Sequence, residues 1–331
     1  MVPIEPRRPA PSPTDNLKRR VRAVMKTLPF VGRAYVQRDE LRAVLRKLWE
    51  EPGHFYSPIP SEEEVRQREA AIFDTSSRSV GGIDLNEGFQ LQLFETLSTY
   101  YREQPFSRTK QDGFRFFFEN PAFSYFDAII LFCMIRHVKP KRIIEIGSGY
   151  SSCVMLDTNE RFFANSIACT FIEPNPELVI SLLKDADRSR VTLIPKKLQD
   201  VDPRVFGSLE PNDILFIDSS HVVKTGSDVN HEFFEILPRL IPGVYVHVHD
   251  VFYPFEYPRA WVYQGRAWNE AYLVRAFLQY NGAFSIQLFN HFLECFHRDV
   301  IQRNMPLCLE FSGHSMIPTS AQSIWLKKQR D

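Results

Sequence analysis

The chain has 331 residues, 44% of them hydrophobic and 24% charged, a balance that excludes a wholly disordered or collagen-like protein. Lys+Arg and Asp+Glu number 40 each, so there is no whole-chain basic footprint for nucleic acid. The longest strongly apolar run, residues 128–135, is far short of the ~20 residues that span a bilayer.

Residues 1–16 are rich in proline and are expected to form a disordered tail. The N-terminus has no apolar stretch followed by a small-residue cleavage site, so no secretory signal is expected. Five scattered cysteines (Cys133, Cys153, Cys169, Cys295 and Cys308) form no C-x-x-C pair. That excludes a cysteine zinc ribbon, argues against a disulfide framework and points to a reducing cytoplasm. Cys133 and Cys169 lie in apolar stretches and read as small core residues.

Residues 17–119 read as a helical extension. Residues 1–50 carry 12 Lys+Arg against 5 Asp+Glu, and two basic helices are predicted at 17–27 and 39–50. The second has Leu41, Val44, Leu45 and Leu48 at helical spacing. Such helices suit a homodimer or docking contact, or a weak peripheral contact with an anionic membrane surface. Ser61 opens another helix with Glu64 at its capping-box position. Residues 86–101 follow as a helix with Phe89, Leu93, Phe94 and Leu97 on one stripe. Residues 114–120 are unusually aromatic and read as core packing, with a pocket lining as the alternative.

From residue 120 the pattern alternates between strands and helices, the signature of a doubly wound, mostly parallel α/β sheet. Strands are predicted at 142–146, 169–173, 191–194, 213–218 and 244–249. Helices fill the gaps at 151–160, 177–184 and 227–237. A helix at 269–280 then leads to two closing strands, 284–289 and 323–327, for seven strands in all.

The first strand runs into a glycine turn, EIGSGYSS. Gly147 and Gly149 let the chain turn and bring backbone N–H groups to a ligand at a helix N-terminus. That geometry serves dinucleotides and S-adenosylmethionine alike. Two details favour the second: Glu145 would repel a pyrophosphate and welcome a cationic amino group, and Ser151 occupies the place of the dinucleotide fingerprint's third glycine. Glu173 ends the second strand, where an acid accepts ribose hydroxyls. Gln199 and Asp200 are candidate partners for an adenine amino group.

Taken together, EIGSGYSS, FIEP and DILFID resemble class I S-adenosylmethionine-dependent methyltransferases in order and spacing over residues 120–331. The resemblance implies a Rossmann-like sheet whose final strand inserts beside the fifth. It also implies a donor site built from Glu145, Gly147, Ser148, Gly149, Glu173, Asp200 and Asp218. The run FIDSSHVVKTGSDV…GVYVHVHD looks like a subgroup with Asp-x-x-His after strand four and His-Asp after strand five. Some members of that subgroup and its neighbours bind a divalent metal. By position Asp218, His249 and Asp250 would be ligands for Mg²⁺ or another divalent ion, with His221 close to the substrate. This chain departs from the pattern in having Gly243-Val244 for a Gly-Gly turn and in adding His247 on the face of His249.

A sulfonium donor is already activated, so alignment is the main task, but a hydroxyl acceptor must lose its proton. His221 could take it as general base, or a bound metal could acidify the hydroxyl. The expected reaction is therefore methyl transfer to an oxygen of a small molecule or glycan. The aromatic stretch at 250–272, with Glu256, Arg259, Arg266, Asn269 and Glu270, suits a polyhydroxylated ring or a packed loop over the sheet end. Three alternatives stay open: Asp218 as a mere helix cap, a NAD-dependent oxidoreductase, and a non-catalytic scaffold that recruits partners through the basic helices.

Overall fold

The structure is a computed structural model that describes residue 21 and residues 24–26, 32–45 and 48–330. It divides into two compact units, residues 1–67 and 68–331. The predicted disordered tail, and most of the helix predicted at 17–27, lie outside the described residues. In the first unit, helices α1 (Gly32–Leu45) and α2 (Glu62–Gln67) are formed. Helix α1 thus begins seven residues before the predicted start at 39, since no proline interrupts residues 32–38, and residues 48–50 form bends where helix was expected. The Ser61 hydroxyl accepts the Glu64 N–H at 3.4 Å, half of the expected capping box.

The second unit opens with α3 (Glu69–Ile72) and α4 (Glu87–Tyr101), whose Leu93, Phe94 and Leu97 are buried. Helix α5 (Tyr125–Val138) follows, and every residue from Tyr125 to Ile135 is buried. A helix apolar all round belongs inside the molecule and shows no amphipathic stripe, so only its apolar run was visible in the sequence. Then come β1 (Arg142–Ile146), α6 (Tyr150–Phe162), β2 (Ala168–Ile172), α7 (Glu177–Leu182), β3 (Thr192–Ile194) and β4 (Ile214–Ile217). The predicted helix at 227–237 is instead α8 (Asp228–His231), continued by a π-helical turn, Glu232–Ile236. Strand β5 (Tyr245–His249), α9 (Arg259–Tyr263), α10 (Glu270–Leu278) and β6 (Phe284–Phe289) lead to α11 (Asn290–Phe296), α12 (Arg298–Asn304) and β7 (Ser323–Lys328).

The seven strands form one sheet in the order β3-β2-β1-β4-β5-β7-β6. The first five are parallel, and β7 runs antiparallel between β5 and β6, the inserted hairpin that the resemblance implied. Ile143, Phe171, Ile214–Ile217, Val246 and Val248 are fully buried, as expected of parallel strands covered on both faces. The order reverses at β1, so the crevice beyond the carboxyl ends of β1, β2 and β4 is where a ligand belongs.

The aromatic segment after residue 113 is core. Phe116 and Phe118 are 1% exposed and pack with each other and with Phe106, which in turn meets Phe132. Between them Arg115 is buried and bonds Asp157 of α6 at 2.7 Å and Asp187 at 2.7 Å.

Candidate active site

Strand β1 ends in the turn that the glycines predicted. Gly147 has φ +80°, and a Cβ there would lie 1.7 Å from the Asp218 carbonyl oxygen, so only glycine fits. Its N–H donates to Ile172 O at 2.9 Å, and the Asp218 N–H to Ile146 O at 2.8 Å. The turn is thereby held against the ends of both neighbouring strands. Gly149 is extended (φ −172°), a conformation open to any residue, so its need for glycine is not conformational. Ser148 donates its N–H to Glu173 Oε2 at 3.3 Å, and Asn175 N–H donates to Glu173 Oε1 at 2.8 Å.

Beyond this turn lies a cavity of about 600 Å³, ample for a nucleoside-sized ligand. Gly147, Glu173, Asp200 and Asp218 line it, as does Gln199, whose amide donates to Gly226 O across the opening at 2.7 Å. Ser219, Ser220, Lys224 and Asp228 complete the wall, and Ser220 is tied to Asp228 by its hydroxyl (2.6 Å) and its N–H (3.1 Å). Four carboxylates (Glu173, Asp200, Asp218, Asp228) face two lysines (Lys197, Lys224). That balance favours a cationic ligand over a phosphorylated one.

Glu145 is placed differently. It is fully buried, and its two oxygens accept the hydroxyls of Ser151, at 2.5 Å, and Ser152. Burial pushes its carboxyl up to about 8 against the opposing pull of those hydroxyls. The serine that stands for a third glycine therefore clamps the first turn of α6 to β1.

At the ends of β4 and β5 the structure gathers Asp218, His221 and Asp250. His221 Nε2 is 3.3 Å from Asp218 Oδ1 and 3.4 Å from Asp250 Oδ2, while Nδ1 is 2.8 Å from Glu270 Oε2. His221 and Asp250 both have positive φ, +57° and +55°, strain that concentrates at functional sites. The loop bearing His221 is pinned to the start of α10: the His221 carbonyl accepts the N–H groups of Asn269 and Glu270, and Asn269 Oδ1 accepts the Val223 N–H. Burial pulls the His221 imidazole down, but Asp218, Glu270 and Asp250 outweigh it and hold it well above the usual histidine value. Burial likewise raises Asp250 and Glu270.

Each of Asp218, His221 and Asp250 offers one ligand atom, and the three atoms lie within 4.8 Å of one another. One imidazole nitrogen and two carboxylate oxygens are a suitable donor set for Mg²⁺ or Mn²⁺, and a carboxylate on the far imidazole nitrogen is the usual support of a ligating histidine. The residues present fit such an ion. Glu270 was visible in the sequence only as one charge in an aromatic stretch, because a separation of 49 residues carries no local signal.

His249, expected among the ligands, stands aside from this group: its Nδ1 is 3.5 Å from Asp127 Oδ2 and its Nε2 3.7 Å from Asp250 Oδ1. His247 is fully buried, with both ring nitrogens unpartnered among the described residues and its ring stacked at 3.8 Å on Phe216. Burial and the His249 charge depress it well below the histidine range, so it is a neutral core residue.

A second chamber of about 350 Å³ opens on the other side of the cluster, lined by Asn120, Ser124, Arg266, Ser312, His314 and Gln322 together with His249 and Asp250. Asp218 lines both chambers. Asp218 is thus the common wall of the two spaces.

Fold and site together define a Rossmann-like α/β domain of the class I methyltransferase type. Residues 144–251 match the family model described as a methyltransferase domain. An uncharacterized protein of Archaeoglobus fulgidus is 38% identical over 170 residues, covering 49% of this chain and 75% of that one. The chain belongs to one family with this archaeal protein and carries a methyltransferase domain over the matched residues. Among solved structures it is similar to a methyltransferase of Podospora anserina, PaMTH1, bound to SAH (13% identity, 82% of this chain, 99% of that one, TM-score 0.38). It is also similar to the O-methyltransferase TomG of Streptomyces achromogenes in complex with SAM (14% identity, 81% and 96%, TM-score 0.40).

Proposed function

We propose that the protein transfers the methyl group of S-adenosylmethionine to an oxygen of a small molecule or glycan. The observation that carries this reading is Asp218 as the common wall of an acid-lined cavity at the glycine turn and a polar chamber beside His221 and Asp250. The donor supplies a methyl already activated by its sulfonium charge. Glu173 accepts the ribose hydroxyls, the Gly147–Gly149 backbone bounds the donor's amino-acid end, and Asp200 and Gln199 face the base. Asp218, with its carboxyl held low by the charge of His249 and its bond to His221 despite burial, favours the cationic donor.

The acceptor lies in the polar chamber, where Arg266, Ser312 and Gln322 bind hydroxyls and His221 and Asp250 face the reacting oxygen. That oxygen bonds to the methyl carbon as the carbon–sulfur bond breaks and its electron pair returns to sulfur. In the metal-free cluster the hydroxyl proton passes to His221 Nε2 once the imidazole is neutral, and because its carboxylate neighbours hold it well above the usual histidine value, this route gains as pH rises. Asp218, His221 and Asp250 would hold a divalent ion, which would supply Lewis acidity to lower the hydroxyl pKa. Nε2 cannot take a proton and bind an ion at once, so chelation separates the two roles.

Calorimetry with S-adenosylhomocysteine tests the reading. Wild-type protein should bind it, and Glu173→Ala should weaken binding at least tenfold, since hydrogen bonds to a charged group contribute about 1.5–3 kcal/mol. No binding by wild type at millimolar ligand overturns the reading. Turnover lost on chelation and restored by Mg²⁺ or Mn²⁺ assigns the ion; turnover unchanged by chelation assigns His221 as base.

A further inference from the structure

Next to the polar chamber is a third cavity, of about 530 Å³, to which no role has been given. Its walls are Ile72 and Phe73 at the end of α3, Phe252 and Tyr257 after β5, and Ile317 and Pro318 before β7. Met316 and Thr319 line this cavity and the polar chamber alike. Phe252, on the apolar side, packs edge-on against Trp261, on the polar side, at 5.2 Å. The two spaces are neighbours across one short lip.

Several polar groups of the cavity wall already have protein partners. His291 Nδ1 accepts the Tyr253 N–H at 3.0 Å, and burial drives its imidazole down to about 4. Glu294 accepts the Thr319 hydroxyl on one oxygen and Arg298 at 2.9 Å on the other. Burial also lifts the Cys295 thiol to about 11, so it carries no charge. At the rim Arg259 is paired with Glu69 at 3.0 Å. With those groups bonded to protein partners and Ile72, Phe73, Phe252, Ile317 and Pro318 forming much of the wall, a cavity of this size and character gains affinity chiefly by taking apolar surface out of water.

We propose that this cavity receives the apolar tail of an amphipathic acceptor, an alkyl or acyl chain joined to the hydroxylated head that the polar chamber presents to Asp218, His221 and Asp250. The inference rests on the methyl-transfer reading for the head, and it narrows the acceptor to a lipid-like glycoside or ester. The tail crosses the lip at Met316 and Thr319, with Gln264 holding the Met316 sulfur at 3.0 Å.

A homologous series tests it: methyl, butyl, hexyl and octyl β-glucoside, each below its micelle threshold, titrated calorimetrically into the full-length protein with and without S-adenosylhomocysteine. Affinity should rise about fourfold per added methylene until the cavity is filled. Phe73→Asp, at a half-buried rim position, and Met316→Glu, at an exposed one, should each flatten that rise while keeping wild-type S-adenosylhomocysteine affinity. Affinity independent of chain length in wild type, or a rise that both variants retain, overturns the proposal. Failure of S-adenosylhomocysteine to bind strikes the methyl-transfer reading instead, since the chain-length series is also read without it.

Discussion

Single residues decide the turn at the end of β1. Gly147 was legible because a glycine after a strand is the local signature of a tight turn, and the contact with Asp218 explains why nothing larger fits. Glu145 was legible as an acid but not in its setting. The hydroxyls that enclose it come from the next helix, and a lone sequence offers no sign that Ser151 and Ser152 point back. Its carboxyl is raised to about 8 from a reference of 4.5, so between those values the folded protein keeps a proton that the unfolded chain has released. Stability from this group is then full at acid pH and declines as pH rises toward 8. Glu145→Gln removes the titration, so its melting temperature relative to wild type should climb from pH 5 to pH 8. Parallel melting curves across that range contradict the assignment. Asp218, His221 and Asp250 were all named by pattern, whereas their assembly with Glu270 in place of His249 depends on α10 docking against the loop after β4.

At the level of elements, strands were read more closely than helices. Alternation between apolar strands and intervening helices set the positions of β1 and β6 to the residue, because glycine, proline and charged residues bound them. Helix α5 was hidden by its own burial, and the π-helical turn after α8 places Glu232, fully buried, where an ordinary helix face was expected. The link between the 114–118 segment and α6 was equally invisible, since Arg115 and its partners are 42 and 72 residues apart. Arg115 is 3% exposed, and Asp157 and Asp187 are 1% and 2% exposed. Arg115→Ala should therefore cost about 3–5 kcal/mol, because it leaves two buried carboxylates without their cation. Urea denaturation would measure it. A loss below about 1 kcal/mol would mean that the segment is anchored by its phenylalanines alone.

For the whole molecule, the sheet order followed from the resemblance and the chambers did not, because cavities arise where loops from distant parts of the chain fail to fill space. The proposed divalent-ion site belongs to this scale, since Asp218 follows β4, Asp250 follows β5 and Glu270 of α10 backs His221. An ion that binds only the folded state at a hundred times its dissociation constant adds about 2.7 kcal/mol of stability. Mn²⁺ should raise the melting temperature of the wild type and leave Asp250→Asn unmoved, and a shift equal in both would place the ion elsewhere.

Strand β7 lies between β5 and β6, yet it is the last strand of the chain. On the ribosome, residues 250–322 must all be made before β5 acquires that neighbour. Until then the flank of the strand that carries His249 shows unsatisfied amide and carbonyl groups, a template for pairing between nascent chains. Closure of the β6–β7 hairpin against β5 would remove that template.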